Sequence, residues 1–365
     1  MEEKGEKTEK KETKETKGWI VVVVLVAALA MGLGSCAHGI EIMDSRGESI
    51  RLEVDGVERV KLGGARQWIY LAGAKADNPV LLWLDGGPGG SELGPVRHYL
   101  GELHRHFTVV CWDQRGTGRS RKTSISFSPI PVERYVEDVL ELSRLLIKRF
   151  GTEKIYLVGH SWGSIIGAMA AASAPELYHA YIGVGQQVNA TENDGIGWDM
   201  VRSSAEAAGH TDVVRRLDAM GRPPYSKGSD YFYLFSRLYR YSPHPPGAPS
   251  FDSTWFFKAP QHSFFDRIAV GLGLLDGVMR VYPQLRDLDF ERDLKRIDCP
   301  VHIVAGRYDL TCVSSIAQRW YTSLQAPEKE FLWFENSGHN ACYEESGRFT
   351  AFMRDVEAGI RKKGL

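Results

Sequence analysis

The sequence contains few cysteines and almost no net charge, and both features limit what the protein can be. Five cysteines occur among 365 residues, and no Cys-x-x-Cys or His-x-x-x-His pair is present, so the sequence does not support a metal site. The formal net charge is −1, with Lys and Arg scattered among Asp and Glu beyond the N-terminal tail. This distribution gives no reason to expect nucleic acid as a partner. The chain shows no internal repeat and is long enough for one large core carrying an insertion, or for two small domains.

The first 36 residues differ from the rest of the chain. Residues 1–17 alternate Glu, Lys and Thr, residues 19–33 carry no charge, and Leu33-Gly34-Ser35-Cys36 follows. A charged region, an apolar region and then small residues are typical of an export signal, and the apolar run is shorter than the span of about 20 residues that a membrane requires. The last four residues resemble a bacterial lipobox, which predicts lipidation of Cys36; an uncleaved signal anchor is the alternative. Both predict a domain held at a membrane surface outside the cytoplasm.

Short apolar runs alternate with helical patterns through the middle of the chain. Continuous apolar runs are typical of strands buried on both faces of a parallel sheet, and helical patterns over residues 95–104 and 132–150 lie between them. This alternation predicts a doubly wound α/β core. Before it, residues 49–54 and 65–72 alternate apolar and polar side chains, with turns at 55–56 and 63–64, which predicts an antiparallel meander. The predicted core strands span residues 80–84, 107–112, 155–158, 180–184, 301–305 and 330–334.

No comparable strand rhythm is visible between residues 189 and 289. This region has helical stretches at 197–208, 213–220 and 232–239, a proline-rich loop and many aromatic residues. We interpret it as a mostly helical cap inserted into the core, whose aromatic residues pack the cap or line a substrate pocket. The predicted organisation is an N-terminal tail and anchor over 1–36, an α/β core over 37–188 and 290–365, and a cap over 189–289.

Gly159-His160-Ser161-Trp162-Gly163 stands between an apolar run and a run of small residues. A strand that ends at Gly-x-Ser-x-Gly and turns directly into a helix is the nucleophile elbow of a serine hydrolase. The glycines allow a turn too tight for side chains, and this turn exposes the hydroxyl of Ser161. The alternative is an ordinary turn in which Ser161 caps the helix.

A serine nucleophile requires a histidine base and a carboxylate that orients the histidine. Asp309 follows the predicted strand 301–305, and His339 follows the strand 330–334. Each therefore lies at the carboxyl end of a parallel strand, where ligands bind in such sheets. We predict Asp309 as the acid and His339 as the base. Asp298, Asp293 and His302 are weaker candidates because they lie before or within the strand.

The oxyanion of an acyl-transfer intermediate requires backbone N–H donors. Trp162, directly after the nucleophile, is predicted to supply one donor. Gly87, in the glycine-rich loop Asp85-Gly86-Gly87-Pro88-Gly89-Gly90, is predicted to supply the other. Glycine-rich loops also bind phosphates, but no Lys-Ser/Thr follows this loop and it contains no Gly-x-Gly-x-x-Gly.

With these residues placed, the chain resembles the proline iminopeptidase group of α/β hydrolases from about residue 49 to its end, outside the cap. The resemblance implies an α/β-hydrolase fold and cofactor-free removal of an N-terminal residue, often proline, from peptides through an acyl-enzyme. It also implies that Asp113 and Arg115 brace the site through ion pairs. The motifs that carry it are Gly86-Gly87-Pro88-Gly89, Asp113-Gln114-Arg115-Gly116-Thr117-Gly118-Arg119-Ser120, the Ser161 elbow and Ser337-Gly338-His339.

The chain departs from this group in two places. Asp85 stands where the group usually has His, so the hydrogen bonds that shape the oxyanion loop must differ. The group also uses cap glutamates to bind the substrate ammonium, which is costly to desolvate unpaired. Glu192 and Glu206 are the candidate residues for this role, and Asp194 and Asp199 are the other acidic residues of the early cap.

The residues leave several alternatives open. The same machinery is also compatible with an ester, amide or lactone substrate, and a non-catalytic binding protein on the same scaffold is a remote alternative. Ser161 argues against dehalogenase and epoxide hydrolase chemistry, which need aspartate at the elbow. Cys312 and Cys342 each lie three residues beyond a predicted triad residue, so a bridge between their loops is conceivable; unpaired buried thiols are the favoured interpretation.

Overall fold

The computed structural model describes residues 41–44, 46–121, 129–242 and 247–362. Cys36 and the rest of the predicted anchor lie outside the described residues. Within those residues, no helix has both the length and the apolar character needed to cross a membrane.

The bounds of the regular elements are as follows. The strands are β1 (Ile42–Met43), β2 (Ser49–Ile50), β3 (Val54–Leu62), β4 (Ala65–Gly73), β5 (Val80–Leu84), β6 (Thr108–Asp113), β7 (Ile155–His160), β8 (Tyr178–Val184), β9 (Val301–Gly306) and β10 (Lys329–Phe334). The helices are α1 (Leu93–Tyr99), α2 (Leu103–His106), α3 (Val132–Phe150), α4 (Trp162–Ser173), α5 (Ala190–Ala207), α6 (Thr211–Met220), α7 (Gly228–Tyr241), α8 (Phe264–Asp276), α9 (Phe290–Asp293), α10 (Ser314–Ser323), α11 (Ala341–Glu344) and α12 (Ser346–Lys362). Shorter helical segments span Gly118–Ser120, Pro175–Leu177, Ser253–Phe257, Gly277–Val281 and Tyr282–Asp287.

The central sheet has eight strands in the order β10-β9-β8-β7-β5-β6-β4-β3. The strands from β10 to β6 are parallel, and β4 and β3 are antiparallel additions at one edge. The predicted doubly wound core is therefore confirmed. Because the parallel strands all end at the same edge of the sheet, the loops after β5, β7, β9 and β10 lie together there.

The two faces of the sheet are covered by different helices. Side chains of α3, α4 and α10, such as Val139, Ile166 and Trp320, pack in one buried layer. Side chains of α1 and α12, such as Val96 and Phe349, pack in the other. Burying one such side chain stabilises the fold by about 1.5–3 kcal/mol. These two layers hold the sheet rigid beneath the loops that carry the site.

Helix α3 shows how the sequence sets one of these elements. Pro131 precedes it with a fixed backbone angle that suits a helix start, and Gly151 ends it in the left-handed conformation. Val136, Val139 and Leu142 follow one another at helical spacing and are buried against the sheet. The predicted helix over 132–150 has the same bounds as α3 and is confirmed.

Two local predictions are wrong. Asp55 and Gly56 do not form a turn, because both pair with β4 inside the longer strand β3. An edge strand tolerates glycine, and only the Gly63-Gly64 pair makes the turn. The predicted helix over 95–104 is divided into α1 and α2: Leu100 caps the C-terminal end of α1, and Gly101, a residue of low helix propensity, follows it.

The cap elements α5 to α8 lie between β8 and β9 in the sequence. Asn189 and Asp289, the predicted cap boundaries, lie side by side in an antiparallel bridge, so the chain leaves and re-enters the core at one place. The cap helices α5, α6 and α7 begin seven, two and four residues before the predicted helical stretches and end within two residues of them. Helix α8 was not predicted from the sequence. Its start is fixed by a capping box between Ser263 and Asp266.

Candidate active site

Ser161 lies at the sharp turn between β7 and α4. Its backbone φ is 54° and its ψ is −117°, and it is the only non-glycine residue with a positive φ among those the structure describes. Such a conformation is strained for an L-residue and persists only where the surroundings impose it. Gly163 makes the turn possible, because a side chain at this position would clash with the Leu84 carbonyl. The result is a serine hydroxyl held at the carboxyl end of the sheet.

Ser161, His339 and Asp309 form one hydrogen-bonded chain. Nε2 of His339 lies 3.0 Å from Oγ of Ser161, and Nδ1 of His339 lies 2.9 Å from Oδ2 of Asp309. With a carboxylate on Nδ1, the proton of the neutral ring sits on that nitrogen and Nε2 faces the serine as an acceptor. The structure therefore brings together the three residues predicted as the triad, in an arrangement able to remove the serine proton.

The Asp309 carboxylate is held from its other side as well. Its Oδ1 accepts hydrogen bonds from the amides of Thr311 and Cys312 at 2.9 and 2.8 Å, and the side chain is fully buried. The His339 side chain is 19% exposed. The acid is thus fixed beneath a histidine that remains accessible to a substrate.

The two predicted oxyanion donors lie on segments that adjoin Ser161. Trp162 is the first residue of α4, so its amide has no partner within the helix and lies at the positive end of the helix dipole. Gly87 has a φ of +132°, which only glycine adopts readily. The preceding Gly86 packs against Cβ of Ser161, so a side chain at this position would have to displace the serine or its neighbours. The loop after β5 therefore places its backbone directly beside the nucleophile.

The Asp113 carboxylate joins the core to the cap. It accepts hydrogen bonds from Tyr70 at 2.8 Å and Ser91 at 2.9 Å, and it lies 3.1 Å from Nε2 of His262 in the cap. Burial alone would raise the pKa of Asp113, but His262 and the donors outweigh burial and hold this pKa below its usual value. Arg115 pairs instead with the buried Asp138 on α3. Arg115 thus forms the predicted ion pair, with Asp138, whereas Asp113 is held by hydrogen bonds that include the one with His262.

Asp85 stands next to the oxyanion loop with an unusual environment. Its side chain is buried, and apart from the backbone amide of Glu92 its carboxyl group has no hydrogen-bond partner among the residues described. Burial, together with the charges of Glu92 and Asp113, raises the pKa of Asp85 well above its usual value. The raised pKa favours the neutral form of Asp85, which does not supply the positive charge that a histidine can carry.

The structure does not bring Glu192 or Glu206 to the triad, which corrects the expected position of the substrate-binding carboxylate. Glu192 pairs with Arg319 on α10 at 2.6 Å, and Glu206 pairs with Arg202 one turn earlier on α5 at 3.1 Å. Both side chains are exposed, and no hydrogen bond connects either to the triad within the described residues. Their charges are already balanced by arginines at the surface.

Asp194 is the acidic residue of the cap that lies close to the site. Its neighbour Asn193 donates to the Thr311 carbonyl and accepts from the Val313 amide, which fixes the start of α5 on the Asp309 loop. Asp194 is buried; Tyr282 donates to its Oδ1 at 2.9 Å, and its Oδ2 has no partner in the described structure. Burial outweighs these donors and raises the pKa of Asp194 to about 7.

Cys312 and Cys342 are free, buried thiols. Cys312 contacts the Ser161 hydroxyl and lies within electrostatic range of both Asp309 and Asp194. Cys312 is therefore a neighbour of the nucleophile whose ionisation is sensitive to the charge of Asp194. Burial raises the pKa of the Cys312 thiol well above its usual value, so it remains protonated.

Sequence reasoning missed Glu92, which lies behind the oxyanion loop. Its carboxylate is buried and hydrogen bonded to the Gly86 amide and to His160, the residue before the nucleophile. The only sequence signal is an acidic residue two positions after the glycine-rich loop. That signal alone does not separate a buried carboxylate from an exposed one.

Comparisons with known proteins agree with this architecture. Residues 81–351 match the family described as "Alpha/beta hydrolase family". The chain is 28% identical over 307 residues to the "Probable aminopeptidase YbaC" of Bacillus subtilis, covering 80% of this chain and 93% of that protein. It is 26% identical over 317 residues to the proline iminopeptidase of Saccharolobus solfataricus, covering 85% of this chain and 94% of the relative.

Solved structures show the same fold. The proline iminopeptidase of Mycobacterium smegmatis aligns with 84% of this chain and 100% of its own, with a TM-score of 0.63 and 18% identity. A proline iminopeptidase-related protein of Thermus thermophilus aligns with 84% of this chain and 98% of its own, with a TM-score of 0.59 and 21% identity. The chain is therefore a proline iminopeptidase-like member of the alpha/beta hydrolase family.

Proposed function

We propose that this protein is a serine hydrolase that removes N-terminal residues, such as proline, from short peptides through an acyl-enzyme. The observation that carries the proposal is the continuous Ser161–His339–Asp309 chain, with heavy-atom distances of 3.0 and 2.9 Å. A positively charged imidazole formed during the reaction is stabilised by Asp309, which is already in contact with the ring.

The proposed reaction has two halves. Oγ of Ser161 bonds to the carbonyl carbon of the first peptide residue while its proton moves to Nε2 of His339. His339 then gives this proton to the leaving amine as the C–N bond breaks, which leaves an ester on Ser161. Water, activated by His339, hydrolyses that ester and releases the amino acid. The amides of Gly87 and Trp162 are the proposed donors to the oxyanion, and losing one such donor typically costs about 3–4 kcal/mol of transition-state stabilisation.

Asp194 is the proposed acceptor for the ammonium group of the substrate. Three observations support it: its carboxylate is buried, one oxygen has no partner in the described structure, and it lies within electrostatic range of Cys312, which contacts the Ser161 hydroxyl. A carboxylate in this state gains a counterion when an ammonium group binds, which offsets the desolvation of both charges. Glu192 and Glu206 lack this vacancy because each already pairs with an arginine.

The substrate class can be tested with matched chromogenic substrates. Full-length protein is expected to hydrolyse proline or alanine p-nitroanilide, and to hydrolyse the N-acetylated forms much more slowly because they carry no ammonium group. Ser161→Ala should lose both activities. Turnover of p-nitrophenyl esters alone would not decide between the classes, since serine hydrolases accept activated esters. Failure on every free-amine substrate, with ester turnover intact, would instead support the ester, amide or lactone alternative.

We also propose that the N-terminal segment anchors the enzyme at a membrane outside the cytoplasm. The support is the lipobox-like sequence ending in Cys36, which lies outside the described residues. Cells expressing the full chain should incorporate a palmitate label into the protein and retain it in the membrane fraction. Cys36→Ala should abolish the label. A label-free protein that remains in the membrane fraction would favour the uncleaved signal anchor, and a protein found in the cytosol would contradict both.

A further inference from the structure

Glu92 accepts hydrogen bonds from groups on four different segments of the core. Its Oε1 faces the Gly86 amide at 2.9 Å and Nδ1 of His160 at 2.6 Å. Its Oε2 accepts from the indole N–H of Trp83 at 2.7 Å and from the hydroxyl of Tyr343 at 2.6 Å. The side chain is 1% exposed. Four donors match the four acceptor sites of an ionised carboxylate, which indicates that Glu92 is buried as an anion.

His160 faces a hydrogen-bond acceptor on both sides of its ring. Nδ1 lies 2.6 Å from the Glu92 carboxylate, and Nε2 lies 3.1 Å from the main-chain carbonyl of His339. A neutral imidazole has only one N–H and could satisfy only one of these acceptors. Both contacts are hydrogen bonds only if His160 carries two protons and a positive charge. The ring is 2% exposed, so its counterion is Glu92.

The electrostatics of the neighbouring groups agree with this assignment. Burial alone would raise the pKa of Glu92, but the interaction with His160 and the donors hold this pKa below its usual value. Burial alone would lower the pKa of His160, but the charge and the hydrogen bond of Glu92 raise it. Asp85, the next carboxyl group, has its pKa raised well above the usual value by burial and by the charge of Glu92. The opposite directions of these two pKa shifts agree with the four donors in assigning the negative charge to Glu92.

This ion pair contacts the segments that carry the oxyanion loop, the nucleophile and the base. Through Gly86 it holds the start of the oxyanion loop, and through His160 it holds the residue next to the nucleophile. His160 in turn holds the main chain of His339, and Tyr343 holds helix α11, which follows that histidine. We propose that the Glu92–His160 ion pair is a positioning element that keeps the oxyanion loop, the nucleophile and the base in register. This inference rests on the proposed serine hydrolase function.

The inference predicts a defect in turnover rather than in binding. Glu92→Gln replaces two acceptor sites with an N–H₂ group and removes the counterion of His160, so the ring gives up one of its two hydrogen bonds. Loss of alignment by about 1 Å can cost on the order of 100-fold in rate. We expect kcat on proline p-nitroanilide to fall about 100-fold, with KM changed by less than about 3-fold because the ammonium contact at Asp194 is untouched.

Two further variants separate the charge pair from simple packing. Glu92→Asp keeps the charge on a shorter side chain and should recover about 10-fold of the activity that Glu92→Gln loses. His160→Gln keeps a single donor and should lower kcat to an extent similar to Glu92→Gln. The double variant should be little worse than either single variant, because residues that act as one unit have non-additive effects. Independent, additive losses would contradict the proposal.

Asp44→Asn is the matched control, because it also neutralises a buried carboxylate but lies outside the proposed active site. The Asp44 side chain is 1% exposed and pairs with Arg105, near the opposite edge of the sheet from Ser161. This variant should lower the melting temperature and leave kcat per folded molecule unchanged. If Glu92→Gln behaves in the same way, the ion pair is only structural and the inference is overturned.

The two levels of failure are distinguishable. A wild-type protein that neither hydrolyses any substrate nor reacts with a fluorophosphonate refutes the proposed function. A wild-type protein that is active, with kcat in Glu92→Gln and His160→Gln within about 3-fold of it, refutes only the positioning role. If Glu92→Gln does not fold, Glu92→Asp and His160→Gln carry the same comparison, with folding checked by circular dichroism.

Discussion

Two histidine–carboxylate pairs lie side by side at the proposed active site, and they differ in what surrounds the second ring nitrogen. In the His339–Asp309 pair that nitrogen faces the hydroxyl of Ser161. In the His160–Glu92 pair it faces a main-chain carbonyl. The two rings lie 5.1 Å apart between their centroids. A hydroxyl can give its proton to a ring nitrogen, whereas a carbonyl can only accept one.

The comparison shows how one combination of side chains serves two purposes. His339 is partly exposed and keeps one nitrogen free to gain and lose a proton. His160 is buried and must hold both protons to satisfy both of its acceptors. The first pair is suited to proton transfer, and the second is suited to holding a fixed position. Under the proposal, turnover requires both pairs, because the His160–Glu92 pair holds the His339–Asp309 pair in position.

The largest expected effect is on kcat, when the carboxylate of each pair is replaced by the corresponding amide. Asp309→Asn removes the acceptor that fixes the tautomer of His339, and we expect kcat to fall about 10⁴-fold. The corresponding Glu92→Gln is expected to cost about 100-fold. Steady-state kinetics on proline p-nitroanilide measures both. Equal losses would mean that the two pairs do not have separate roles.

The second prediction concerns the cap carboxylate, which belongs to neither pair. Asp194→Asn should lower kcat/KM for free-amine substrates about 10- to 100-fold, mainly through KM, because a charged hydrogen bond is lost. A p-nitrophenyl ester without an amine serves as the control and should be affected little. An equal loss on both substrates would place Asp194 in the reaction itself rather than in amine binding.

The pH dependence of KM provides a third test. Because burial raises the pKa of Asp194 to about 7, the carboxyl group loses its charge as the pH falls through this value. KM for a free-amine substrate should therefore rise below about pH 7, and it should rise again above about pH 8 as the substrate amine loses its proton. For Asp194→Asn, KM should not rise below about pH 7. If KM still rises there, the rise is due to another titrating group.

A smaller effect is expected on stability. A carboxyl group whose folded-state pKa is raised from 3.8 to about 7 contributes stability that is fully present below about pH 4 and is lost as the pH rises through about 7. Asp194→Asn removes this pH dependence, so above about pH 7 the variant should be at least as stable as the wild type. Thermal unfolding at several pH values measures the difference. A variant that is less stable at high pH than the wild type would contradict the account of a buried, unpartnered charge.

The smallest expected effect is that of a reductant. Since Cys312 and Cys342 are free thiols, adding dithiothreitol should change neither the melting temperature nor the activity. A decrease in the melting temperature of several degrees would indicate a bridge between the two loops, since removing a native disulfide typically costs about 2–5 kcal/mol.

The core and the proposed triad could be predicted because their signals are local. The apolar run before Ser161 and the small residues after it indicate a strand, a turn and a helix without reference to the rest of the chain. Asp309 and His339 follow predicted strands in the expected order, so the topology of a parallel sheet is enough to place them on one edge. The buried strands have bounds within about two residues of the prediction, which is the usual uncertainty of element ends.

The remaining features depend on contacts between distant parts of the chain. Glu92 lies 68 residues before His160 and 251 residues before Tyr343, and nothing in its local sequence shows that these groups meet. Helix α8 was missed because Gly271 and Gly273 interrupt its apolar pattern; Gly273 packs against the backbone of the oxyanion loop. Glu192 and Asp194 are two residues apart on α5 and have different partners: Glu192 pairs with Arg319, whereas Asp194 accepts a hydrogen bond from the buried Tyr282.

The central claim is that Ser161 is an activated nucleophile, and covalent labelling tests it most directly. The full-length protein is incubated with a fluorophosphonate, digested and analysed by mass spectrometry. We expect a single adduct on the peptide that carries Ser161, no adduct in Ser161→Ala, and much slower labelling in His339→Ala. A wild-type protein that remains unlabelled, or a Ser161→Ala variant that is labelled as fast as the wild type, would contradict the account.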